Sequence, residues 1–157
     1  MSDMSRVLIV GIGNPLRSDD GLGWQAAQEL LREALDGDVQ VVATQQLTPE
    51  ISELASKAAR VVFIDAARNG KPGTMRCDLI TLRVSPSSRH SHDLSPAGLL
   101  KMAQDLYGRC AQGYLLTIAG DCFDTGDTLS AAVAAALPAL KERIRLLIDL
   151  AADEPQG

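Results

Sequence analysis

The sequence predicts an α/β protein: a single three-layer α/β/α domain on a mainly parallel, twisted sheet of about five strands, with helices on both faces. Three observations predict it. The runs at 7–10, 39–43 and 60–65 are short and nearly continuous in β-branched and aliphatic residues, the pattern of strands covered on both faces rather than one. Segments with apolar residues at helical spacing lie between them, so strand and helix alternate along most of the chain. At 157 residues the chain can bury one sizeable core but hardly two, so residues 1–157 are read as one domain, with 153–157 expected to fray.

The first strand, at 7–10, runs into Gly11 and Gly13, which are expected to form a tight turn that brings main-chain amides close to whatever sits above the strand. Ser18 or Asp19 is placed to cap a helix starting near Asp20 or Gly21. That helix, 21–35, sets Leu22, Ala26, Leu30 and Ala34 on one stripe, widened by Ala27 and Leu31. The second strand is 39–43. Thr48 as cap and Pro49 in the first turn then open a second helix with Ile51, Leu54, Ala55 and Ala58 on its apolar face. The third strand, 60–65, ends in a carboxylate, Asp65. After the turn residues 69–73, the loose alternation of 75–84 suggests a fourth strand, at an edge. A polar loop, 85–93, carries both histidines, His90 and His92. Ser95 and Pro96 start a helix to about Tyr107, with Leu99, Leu100, Met102, Ala103 and Leu106 inward. The last strand is 114–119, and a long alanine-rich helix, 129–150, follows, with Pro138 expected to kink or divide it.

Composition excludes several classes of function. The formal charge of −5 lacks the basic footprint of a nucleic-acid binder, and five aromatic residues in the whole chain leave little to stack on bases. No run is long and apolar enough to span a bilayer, and the N-terminus enters the first strand with no cleavable apolar segment before it; a cytoplasmic location is expected, with no membrane partner. Cys77, Cys110 and Cys122 have neither zinc-ligand nor redox spacing and read as buried free thiols of a reducing compartment.

The chemistry is expected beyond the carboxyl ends of the strands, where the connecting loops of a parallel sheet converge. Gly11 and Gly13 begin a dinucleotide fingerprint, but its third glycine is replaced by Leu16. Asp19 and Asp20 also put negative charge where a pyrophosphate would sit on the helix N-terminus. The acidic pair therefore points to a cation or to proton chemistry. Asp19 reads mainly as a cap or dipole partner, and Asp20 is the better functional candidate. Asp20, Asp65 and His92 each follow a predicted strand, and two carboxylates with one imidazole could hold a divalent first-row metal with positions left open. His90 would point the same way as His92 in an extended loop, and either could serve. Asp121, Asp124 and Asp127 lack the closing glutamate of a calcium loop and read as a polar turn. There is no G-x-S-x-G elbow for a serine nucleophile. A small nucleotide- or metabolite-binding module on the same sheet would keep the glycine turn and have no need of His92.

Residues 11–23, Gly-Ile-Gly-Asn-Pro-Leu-Arg-Ser-Asp-Asp-Gly-Leu-Gly, resemble the opening motif of the maturation proteases of nickel-iron hydrogenases. Residues 71–75, Lys-Pro-Gly-Thr-Met, resemble the turn that follows the central strand in that family, and 47–50, Leu-Thr-Pro-Glu, a segment of part of it; the glycine-rich equivalent of other members is absent. The resemblance implies an aspartic-type endopeptidase, a hydrolase that removes a C-terminal peptide from the hydrogenase large-subunit precursor once nickel is in place. It implies metal contacts by Asp20, Asp65 and His92, supported by the turn of Gly11, Gly13, Asn14 and Asp19. Some relatives have glutamate where Asp20 stands. No complete catalytic apparatus is visible apart from these contacts. The nickel is expected to be supplied by the substrate, with another divalent cation possible in isolation.

Overall fold

The computed structural model describes residues 5–33, 35, 37–82, 94–109 and 111–153. Five strands, β1 (Ser5–Ile12), β2 (Val39–Thr44), β3 (Ala58–Ala67), β4 (Met75–Leu79) and β5 (Gln112–Ala119), form one sheet in the order β2-β1-β3-β5-β4. β2, β1, β3 and β5 run parallel, and β4 closes one edge antiparallel to β5. The helices are α1 (Leu22–Arg32), α2 (Pro49–Ser56), α3 (Pro96–Tyr107) and α4 (Ala131–Asp153).

The continuous apolar runs have the expected cause. Successive side chains of a strand point to opposite faces, and here both faces are covered. Val7 and Ile9 of β1, with Val62 and Ile64 of β3, meet Leu22, Ala26 and Leu30 of α1 and Val133, Leu140 and Ile144 of α4. Leu8 and Val10, with Val61 and Phe63, meet Ile51 and Ala55 of α2 and Leu99, Leu100 and Ala103 of α3. Lys141 of α4 pairs with Glu29 at 2.9 Å and with Glu33, just past α1, at 2.6 Å, which fixes the two helices of the first layer side by side.

Several expectations needed correction. β1 continues through Gly11 to Ile12, because Gly11 pairs with both Ala43 and Ile64 in the ladder. β3 begins at Ala58, which pairs with Ser5 rather than extending the apolar face of α2, and it carries on two residues past Asp65. The fourth strand stops at Leu79; residues from 83 onward in that expectation lie outside the described residues. A 3-10 turn, Ser18–Gly21, precedes α1, and neither Ser18 nor Asp19 caps the helix: its N-cap is Gly21. Thr48 has the extended backbone of an N-cap, but its side chain makes no capping bond, whereas Ser95 accepts from the Gly98 N–H at 3.0 Å. α4 is not divided at Pro138, whose ring lies on the exposed side, as does Ala134, so the carbonyl left without its helical donor can meet water. Leu31 and Leu106 face solvent, 51% and 64% exposed. Cys77 and Cys122 are free as expected but only partly buried, and Cys110 lies outside the described residues. Among the described residues, no helix is long and apolar enough to cross a membrane.

The order of connections locates the site. From β1 the chain passes through α1 to β2 at one edge, then returns through α2 to β3 on the other side of β1. The strand order therefore reverses between β1 and β3, and a crevice opens there at their carboxyl ends.

Candidate functional site

Asp20 and Asp65 lie on the two sides of this crevice. Asp20 comes from the loop that leaves β1, and its Oδ2 accepts the Asn14 N–H at 3.0 Å. The Asn14 side chain in turn accepts the Leu16 N–H at 2.9 Å, and the Gly13 N–H donates to the Thr44 carbonyl at 2.9 Å. The motif loop is thus folded against the ends of β1 and β2, with Asp20 turned back over it. Asp65, partly buried in β3, accepts the Ala66 N–H at 2.8 Å.

The charge of Asp20 acts on Asp65. Burial pushes the Asp65 carboxyl up to about 6; the Ala66 amide opposes this, the charge of Asp20 adds to it, and Arg68 opposes it. A carboxylate in this state gains from a proton or a bound cation, since either removes the cost of holding charge away from water beside a like charge. Among the described residues no group of three His, Cys, Asp or Glu side chains is arranged to hold a metal ion. His90 and His92, the sequence candidates for an imidazole ligand, lie outside the described residues. The pair thus offers two hard oxygen donors, which fit a divalent first-row ion whose remaining positions are filled from elsewhere.

Asp19 is a structural residue, though not a cap on the helix beside it. It is fully buried, and its carboxylate accepts the N–H of Asp121 at 2.7 Å, of Cys122 at 3.0 Å and of Ser130 at 2.7 Å, and the Ser130 hydroxyl at 2.8 Å. Burial opposes its ionisation, but these four donors together outweigh it and hold the carboxyl below the usual carboxylate range. Main-chain bonds extend the clasp: Ser18 N–H to the Gly126 carbonyl at 2.8 Å, Gly126 N–H to Leu16 at 3.0 Å, and Asp19 N–H to Cys122 at 2.9 Å. Ser18 adopts a left-handed φ of 51° to make this crossing, and its hydroxyl donates to the Asp124 carbonyl at 2.8 Å. The aspartate-rich loop 120–130 is accordingly the wall against which the motif is set.

The motif glycines make room for backbone rather than presenting amides to a ligand. A Cβ on Gly11 would run into the carbonyl of Gly23 and lie 2.8 Å from the Ala27 Cβ, and one on Gly13 would strike the Asp20 carbonyl. Both allow the entrance of α1 to lie directly on the strand end, which leaves Asp20 near enough for its charge to act on Asp65. Sequence reading passed over Ser130, Gly23, Phe123 and Arg68. For Gly23 the signal was present, a fourth glycine in the motif; the others depend on contacts between distant parts of the chain. A groove of about 280 Å³ also runs along α1 beside the motif loop, lined by Pro15, Trp24, Gln28 and Leu129 among others, but neither Asp20 nor Asp65 lines it.

No protein-family model matches the chain, and no curated protein matches it in sequence. Solved structures do. It is similar to the hydrogenase 2 maturation peptidase from Thaumarchaeota archaeon SCGC_AB-539-E09, at 25% identity and TM-score 0.71, over 93% of this chain and 99% of that one. The [NiFe] hydrogenase maturation protease HybD from Thermococcus kodakarensis is 26% identical with TM-score 0.66, over 90% and 98% of the two chains. The hydrogenase maturating endopeptidase HybD from E. coli shares the fold, with TM-score 0.69 at 21% identity over 92% and 93%. The α/β class and the resemblance read from residues 11–23 are both borne out.

Proposed function

We propose that this chain is a hydrogenase maturation endopeptidase, which removes a C-terminal peptide from the nickel-loaded large-subunit precursor of a nickel-iron hydrogenase and uses the substrate's own metal to recognise it. One arrangement carries the reading: Asp20, after β1, and Asp65, in β3, stand at the switch point of the sheet, where burial, with the charge of Asp20 added, pushes the Asp65 carboxyl up to about 6. A pair that gains from a cation and supplies only two ligands suits an ion arriving with ligands of its own. The likeness over nearly the whole chain to structures that are themselves maturation peptidases supports the peptidase class. His92 is the third contact in this reading, on the resemblance alone.

In that role Asp20 and Asp65 orient the precursor by holding the ion it carries, which converts a loose encounter into a fixed placement of the scissile bond. The ion supplies Lewis-acid polarisation of a carbonyl or of water when bound. Asn14 holds Asp20 in place through its main-chain N–H, and the Ala66 amide does the same for Asp65. An empty precursor offers nothing for the pair to hold, so discrimination between loaded and empty substrate needs no separate regulator.

The test is C-terminal trimming of nickel-loaded and metal-free precursor from the same cell by wild type, Asp20→Asn, Asp65→Asn and His92→Ala. Trimming of loaded precursor alone, lost in each folded variant, is the expected result. Equal trimming of both precursors would remove the recognition role; no trimming by wild type would leave a binding module on this fold.

A further inference from the structure

Arg68 stands immediately after β3, three positions beyond Asp65, and is exposed. Its guanidinium carbon lies 4.2 Å from the centroid of the Phe123 ring. That ring is seated on Gly120, where a Cβ would come within 2.5 Å of it, and Phe123 follows Cys122, whose amide Asp19 holds. The platform is therefore part of the clasped wall. Among the described residues, no hydrogen bond or ion pair engages the guanidinium, and it is the cation whose charge acts on Asp65. A guanidinium lying over a ring keeps its N–H groups at its edge, free to meet a planar oxygen acceptor.

Peptide hydrolysis places negative charge on the substrate. Water adds to the carbonyl carbon, the π pair of the C=O bond moves onto oxygen, and collapse of the tetrahedral species breaks the C–N bond while the departing amine takes a proton from the attacking water. With Asp20 and Asp65 occupied by the substrate's ion, a cation held beside them by the chain itself adds to the stabilisation of that charge. One already oriented before the substrate arrives needs no rearrangement as the charge forms.

We infer that Arg68, set on the Phe123 ring, is a catalytic residue that hydrogen-bonds the carbonyl oxygen of the scissile peptide bond as it becomes an oxyanion. The inference rests on the peptidase reading. Its substrate is a main-chain carbonyl, so no side-chain specificity is expected from this contact.

The experiment is single-turnover trimming of nickel-loaded precursor by wild type and Arg68→Ala, with and without added guanidinium ion. Arg68 is on the surface, and circular dichroism checks that the variant is folded. Arg68→Ala is expected to lower the rate at saturating precursor by about 100-fold, with half-saturation changed by less than about three-fold, because the contact forms in the transition state. Free guanidinium should restore part of the rate in Arg68→Ala and none in Asp65→Asn. Wild-type trimming with an unchanged rate in Arg68→Ala, or a change confined to half-saturation, would overturn this inference while leaving the peptidase reading intact. A loss without guanidinium rescue would also overturn it. Absence of trimming by wild type would remove both.

Discussion

Replacing Asp19 by asparagine isolates the contact that holds the motif to its wall. The change is nearly isosteric, so packing is preserved and only charge and acceptor count are altered. In the wild type, Oδ2 accepts from Asp121, Cys122 and the Ser130 hydroxyl, and Oδ1 accepts from the Ser130 N–H. An asparagine that keeps its carbonyl at the Oδ2 position must aim its NH₂ group at the Ser130 N–H; flipped, it faces three donors instead of one. The favourable orientation thus leaves a buried donor unpaired and turns three charge-assisted bonds into neutral ones. Together these cost roughly 3 kcal/mol, which lowers Tm by about 6–12 °C for a domain of this size. The pH dependence gives a second check. The folded carboxyl sits below its unfolded value of 3.8, so its contribution is fully present above that pH and is lost as pH falls through the folded value. Urea denaturation followed by circular dichroism should therefore show the full gap between wild type and Asp19→Asn at pH 7 and a shrinking gap below about pH 3.8. Amide exchange at Asp121 and Cys122 should quicken in the variant. A gap under about 0.5 kcal/mol at pH 7, or one that does not change on acidification, would refute the clasp as the source of stability.

Two further outcomes follow from the packing and charge of the site. Gly11→Ala drives a methyl into the Gly23 carbonyl and the Ala27 side chain, which are held by β1 and α1, and is expected to cost about 3 kcal/mol in urea denaturation; a loss under about 1 kcal/mol would mean that α1 can lift off the strand freely. Asp65→Asn is expected to stabilise the fold while abolishing trimming. With a folded value raised from 3.8 to about 6, the wild-type carboxyl costs stability progressively as pH rises between those values, so the variant gains up to about 3 kcal/mol at pH 8 and almost nothing below pH 4, and a denaturation series showing no such divergence would contradict the burial of that charge.

The sequence by itself determined the strands and their double-sided burial, because a continuous apolar run such as 7–10 can be accommodated only where both faces of a sheet are covered. It also determined that Asp20 comes after the first strand and Asp65 at the carboxyl end of the third, since the alternation of strand and helix places them without side-chain detail; that these two strands are neighbours was decided by the fold. Capping at Ser95 was legible for the same reason: a hydroxyl and the amide three residues on are joined by a few bonds of backbone. Only the tertiary structure decided what Asp19 does. Its partner Asp121 is 102 residues away, and no local pattern distinguishes a carboxylate that caps its own helix from one that gathers the donors of a distant loop. The same holds for Gly11, whose missing side chain matters because Gly23 crosses over it, and for Arg68, which becomes notable only once Phe123 is beneath it. Periodicity marked Leu31 and Leu106 as inward, yet both are exposed in the fold. Propensity and pattern are set over a few residues and survive in the linear chain; buried hydrogen bonds, close backbone approaches and charge coupling depend on distances of a few ångströms between segments that only folding brings together.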